Sequence, residues 1–114
     1  MREPFSVPDE LQLVEFFGAE PSERSISDGY WSYEVADNRG VTLRFSFNLF
    51  EQSVQTAIAL SGNPVALVAH EGAQRMTIKG GMLECKFTYD GGEARLLLHV
   101  GDHISVEWSS LRSR

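Results

Sequence analysis

The sequence is poor in several things that would name a function. It has one cysteine, Cys85, which excludes an internal disulfide and fits a reducing compartment. It has no long apolar run: Pro64–Ala69 is among the longest, far short of the ~20 residues of a membrane-spanning helix. The start, MREPFSVPDE, lacks the basic start and apolar run of a secretory signal. A cytoplasmic protein is expected, without a membrane partner.

Catalytic signatures are equally scarce. There is no G-x-S-x-G elbow, and Ser46, Ser53 and Ser105 have no base nearby in sequence. Gly80-Gly81 and Gly91-Gly92 lack the strand–loop–helix setting of a phosphate cradle. His99, Asp102 and His103 flank one turn, but zinc sites draw three or four ligands from closely spaced pairs, and no second pair exists. Cys85 shares its parity with Leu83, Phe87 and Tyr89, so it points into the core as an inert thiol. Glu34, Glu84 and Glu107 alternate onto the face opposite the aromatic residues, where carboxylates are solvated. The expectation is a protein without catalysis, metal or cofactor.

Basic residues are few, ten against sixteen acids, and a net charge of −6 disfavours nucleic acid as a partner. The imbalance is local. Residues 1–28 carry seven acids (Glu3, Asp9, Glu10, Glu15, Glu20, Glu23, Asp28) against Arg2 and Arg24. Such a segment serves as a solvated helix face and polar loop, or as a docking surface for a basic protein.

What is present is a folding pattern. A chain of 114 residues, 42% hydrophobic and 23% charged, can bury one core, so a single domain over 1–114 is expected. Val41, Leu43, Phe45, Phe47 and Leu49 occupy every second position, and Val54, Thr56, Ile58 and Leu60 resume the period after Glu51-Gln52. These are two antiparallel strands sharing a buried face. Further alternating runs start at Tyr30 and at Leu83, Ala94 and Ile104, separated by Asp37–Gly40, Ser61–Pro64, Gly80-Gly81, Asp90–Gly92 and Gly101-Asp102. Val65–Val68 reads as a short strand broken at His70-Glu71-Gly72, and Ser109–Arg114 as a polar tail.

Ahead of the strands, Ser6 as cap, Pro8, Asp9 and Glu10 open a helix over about 7–17, which Gly18 ends. Its Leu11, Leu13, Val14, Phe16 and Phe17 need a sheet to lie on. Residues 19–29 read as a connecting loop. Short turns imply antiparallel neighbours. The expected class is α+β: an N-terminal helix packed on a curved antiparallel β-meander of about eight strands, spanning about 30–109, as a half-barrel or sandwich.

The run FFGAEPS (Phe16–Ser22) after a short acidic helix, then Asp28-Gly29-Tyr30-Trp31 and a strand-rich remainder, resembles small immunity proteins of bacterial polymorphic toxin systems over about the first 60 residues. The resemblance carries no signature residue. It implies a small acidic cytoplasmic inhibitor that covers the active site of a cognate toxin domain. Charge and exposure name the contact candidates: Glu10, Glu15, Glu20, Glu23, Asp28 and Phe50. The competing reading is a small-ligand module with an apolar pocket lined by Phe45, Phe47, Phe87 and Trp108. Those residues equally fill a core, the default also for Trp31. A meander has edge strands open to pairing between chains, so a homodimer is compatible with the pattern.

Overall fold

The computed structural model describes the backbone of residues 3–112 and the side chains of 3–110. Among the described residues one helix, α1 (Glu10–Phe17), precedes nine strands: β1 (Glu23–Ser25), β2 (Tyr30–Ala36), β3 (Val41–Asn48), β4 (Ser53–Leu60), β5 (Asn63–Glu71), β6 (Ala73–Lys79), β7 (Met82–Tyr89), β8 (Gly92–His99) and β9 (Ser105–Arg112). All pairings between these strands are antiparallel and join sequence neighbours, and the ladder breaks once, between β5 and β6. The result is a five-stranded sheet, β1-β2-β3-β4-β5, and a four-stranded sheet, β6-β7-β8-β9, not a closed barrel. The α+β expectation holds coarsely, but the chain is mostly sheet.

Residues 19–29, read as a loop, contain β1, which makes nine strands rather than about eight, and three further boundaries differ from those read in the sequence. Asp9, not Ser6, caps α1: its carboxylate accepts from the Gln12 N–H (2.8 Å), while the Gln12 side chain accepts from the Asp9 N–H (3.0 Å). Ser6 is engaged elsewhere, because its backbone donates to Gln74 and accepts from Met76 beside β6. β5 is continuous over nine residues rather than broken at His70. β9 runs to Arg112, so most of the expected polar tail is strand; its last two residues lie outside the described ones.

The sheet break has a local cause. Gly72 adopts φ 82°, and a Cβ there would collide with the Thr88 carbonyl oxygen. Glycine lets the chain swing from β5 into β6 while its carbonyl accepts from the Thr88 N–H (3.0 Å).

The alternating residues of both sheets share one core. Tyr33, Leu43, Phe45, Leu83, Cys85, Leu96 and Leu98 are fully buried, with Leu13 and Phe17 closing one side from α1. The sheets are joined at Trp108, whose indole N–H donates to Thr56 (2.9 Å), and at His70, tilted against Phe87 with ring centroids 4.9 Å apart. Burial first, then the nearby Glu10 and Glu20, raises the pKa of Tyr33 to about 12, so its unpartnered hydroxyl stays protonated.

The β2–β3 turn is pinned to the start of β9 by Asp37. One carboxylate oxygen accepts from the Ile104 N–H (2.9 Å) and the other from Arg39 (2.8 Å) and Val41 (3.0 Å). These amides, Ile104 foremost, lower the carboxyl from 3.8 to about 2. A depressed pKa contributes stability that is complete above pH 4 and lost as pH falls through about 2. Urea midpoints measured from pH 5 down to pH 2 are therefore expected to fall more steeply for wild type than for Asp37→Asn. Parallel curves would show that Asp37 has no such role.

Candidate protein interface

The acidic segment becomes one edge of the larger sheet. β1 consists of Glu-Arg-Ser, without an apolar face, and exists because Glu23, Arg24 and Ser25 pair with Ser32, Trp31 and Tyr30 of β2. α1 is tied to it by an ion pair between Arg24 and Glu10 (2.6 Å), both about half exposed. That bond, chiefly, raises the Arg24 pKa, with Glu20 adding to it. Arg24 is the one base in residues 3–28, and it is already engaged.

The structure places the six sequence-named residues as follows. Glu15, Glu20, Glu23 and Asp28 are exposed. Glu10 is half-buried and held by Arg24, which makes it a structural link between α1 and β1. Phe50, at the β3–β4 turn, is 65% exposed and lies flat against Gly29 of the β1–β2 turn. Glu15 lines a groove of about 440 Å³ where α1 meets Val35, Ala36 and Val100, away from Phe50.

The position of Phe50 is built, not incidental. The Asn48 side-chain oxygen accepts from the N–H groups of Phe50 and Glu51 (both 2.9 Å) and shapes the turn. The Asn48 amide donates to Asp28 (3.2 Å), and the Leu49 N–H donates to Gly29 (2.8 Å), fastening one turn to the other. Gly29 has φ 68°, and a Cβ there would stand 3.0 Å from the Phe50 ring. Ile26, 67% exposed, opens the same turn, its carbonyl accepting from the Gly29 N–H (3.1 Å), and Asp28 and Glu51 are exposed on the two fastened turns. An apolar centre with an acidic margin is the anatomy of a protein-binding surface.

A second surface was not anticipated. β5 ends the five-stranded sheet, and from Asn63 to Ala69 every residue is exposed, with Leu67 at 67%, Val65 at 58% and Val68 at 36%. Beside it, Ala57, Ala59, Pro64 and Leu67 line a shallow groove of about 440 Å³ bounded by Glu34 and Arg44 (3.7 Å apart). The signal in the sequence was the uninterrupted run Pro64–Ala69, which has no alternation to show which side is buried.

Of the aromatic residues of the pocket reading, Phe45, Phe47 and Phe87 are core and Trp108 is half-buried against it. Phe45, Phe47 and Phe87 are at most 2% exposed, with Phe45 packed on Phe17 (5.4 Å) and Phe87 on Trp108 (5.4 Å). Burial pushes the Cys85 thiol far up, as its inward parity implies. His99 and His103 are exposed, and among the described residues no three His, Cys, Asp or Glu side chains are grouped to hold a metal ion. No helix among the described residues is long and apolar enough to cross a membrane.

No protein-family model and no curated protein matches the sequence. The backbone belongs to a fold seen in bacterial toxin–immunity systems. It is similar to a chain of the contact-dependent growth inhibition toxin–immunity protein complex from Klebsiella pneumoniae 342, with a TM-score of 0.83, covering 93% of this chain and 96% of that one at 18% identity. The likeness is one of fold, and it agrees with the resemblance carried by Phe16–Ser22 and Asp28–Trp31.

Proposed function

We propose that this protein is an immunity protein, a non-catalytic inhibitor that binds a basic toxin domain and covers its active site. The observation that carries the reading is the β1 edge. Exposed Phe50 packs on Gly29 of the turn that also carries exposed Ile26 and Asp28, Glu15 adds its charge from α1, and Glu20 and Glu23 are exposed along the same acidic segment. Its one described base, Arg24, is taken up by Glu10. Long-range attraction between this edge and a basic surface speeds encounter, and the buried aromatic sets the lifetime of the complex. The fold likeness supports the reading independently.

The test is calorimetric titration of this protein with the C-terminal domain of the protein encoded immediately upstream, at two salt concentrations. One-to-one binding that weakens with salt is expected. In stopped-flow measurements, reversal of Glu20 and Glu23 to Lys is expected to slow association about tenfold at low salt and less at high salt. An association rate indifferent to both charge and salt would remove the electrostatic part of the proposal.

A further inference from the structure

The apolar edge at β5 lies across the whole sheet from the acidic edge. Three strands separate β1 from β5, so the two edges stand ~19 Å apart at ordinary strand spacing. A basic partner docked over β1 gains nothing electrostatically from β5, whose nine residues carry one carboxylate, Glu71, and no Lys or Arg. Natural proteins blunt long edges with charges, proline or bulges. Here the blunting is confined to one end: Pro64, and a register shift that leaves Val65 as the extra residue opposite Ile58-Ala59. From Ala66 to Ala69 the strand is regular, exposed and uncharged.

We infer that β5 is the dimerisation edge of this protein, pairing antiparallel with β5 of a second copy to make one continuous ten-stranded sheet. The strand is complementary to itself. A two-fold axis normal to the sheet at Leu67 sets that residue opposite its own copy and pairs residues of the same face along the regular stretch that begins at Ala66. Ala66 then meets Val68, apolar against apolar, and the bulged Val65 lies beside Ala69. The paired stretch carries no charge, so no like charges face each other. The interface is isologous and closes at two chains. It leaves both β1 edges free at the far ends of the joint sheet, so the dimer can hold two toxin domains.

The experiment uses this chain alone and so does not depend on the toxin reading. Sedimentation velocity at micromolar concentration is expected to show a dimer. Leu67→Lys places two ammonium groups face to face on the axis, and dimerisation is expected to weaken roughly 100-fold or more. Because Leu67 is exposed, the far-UV spectrum and Tm of the monomer should be unchanged. Leu67→Cys should form a disulfide-linked dimer on mild oxidation, since residues directly opposite on antiparallel strands lie within ~4.5–5.5 Å. Cys85, buried in the core, cannot substitute for it. A monomeric wild type, or a dimer untouched by Leu67→Lys, overturns the inference. A monomeric wild type whose Leu67→Lys variant also loses the toxin would assign β5 to the toxin instead.

Discussion

Replacement of Phe50 by alanine is expected to weaken toxin binding by about 2–3 kcal/mol, roughly 30- to 150-fold in Kd, almost all of it through faster dissociation. Binding hot spots are aromatic residues at the centre of a patch, ringed by contacts that exclude water but contribute little themselves. Phe50 stands exposed on two fastened turns that also carry Ile26, Asp28 and Glu51. Because the ring already rests on Gly29 in the free protein, little side-chain entropy is lost on binding. Gly29→Ala tests this preorganisation. A methyl group 3.0 Å from the ring pushes it by a few tenths of an ångström and, at φ 68°, also strains the turn beneath it, so this substitution should weaken binding while leaving Phe50 in the sequence. Surface plasmon resonance on the variants separates the rates. If Phe50→Ala leaves the dissociation rate unchanged, the contact surface lies elsewhere and the β1 edge contributes only charge.

The sequence exposes some of this organisation and conceals the rest for physical reasons. The β3–β4 pair is legible because one face is core and the other is not: Leu43, Phe45 and Phe47 are at most 2% exposed, whereas Arg44 between them is exposed. β1 is not legible, because a three-residue polar strand has no hydrophobic period and owes its existence to backbone pairing with β2. β5 is ambiguous in the opposite way. Its even apolarity is compatible with complete burial or complete exposure, and only its place at the end of the sheet decides for exposure. The break into two sheets turns on Gly72. That glycine looks in sequence like those of the hairpin turns, yet it is set apart by its close approach to Thr88, a contact 16 residues away in the chain. Charge alone nominates the acids of the candidate interface. Their distribution was not: Glu10 acts as a tie, Glu15 faces a separate groove, and Phe50 became a central feature only through long-range contacts with Gly29.

Phe17→Ala is expected to be the most damaging single truncation for stability, at about 3–5 kcal/mol, or on the order of 15 °C in Tm. Phe17 is 4% exposed at the last turn of α1, stacked on Tyr33 (4.7 Å), tilted against Phe45 (5.4 Å) and edge-on to Phe16 (5.0 Å). α1 has only eight residues, too few to be stable in isolation, so its helicity depends on this packing and on the Asp9 cap. The loss should therefore combine a cavity above Tyr33 with fraying of the helix. Leu11→Ala, on the same helix but 67% exposed, should change stability by less than about 0.5 kcal/mol. Urea unfolding followed by tryptophan fluorescence distinguishes the two, and equal effects would mean that α1 does not depend on its buried face. The same substitution bears on function, because α1 carries Glu15 and holds β1 through Glu10 and Arg24. A frayed α1 releases Arg24, restores a free base to the acidic edge and loosens the strand behind it. Association with the toxin should then slow even under conditions where the body of the protein remains folded.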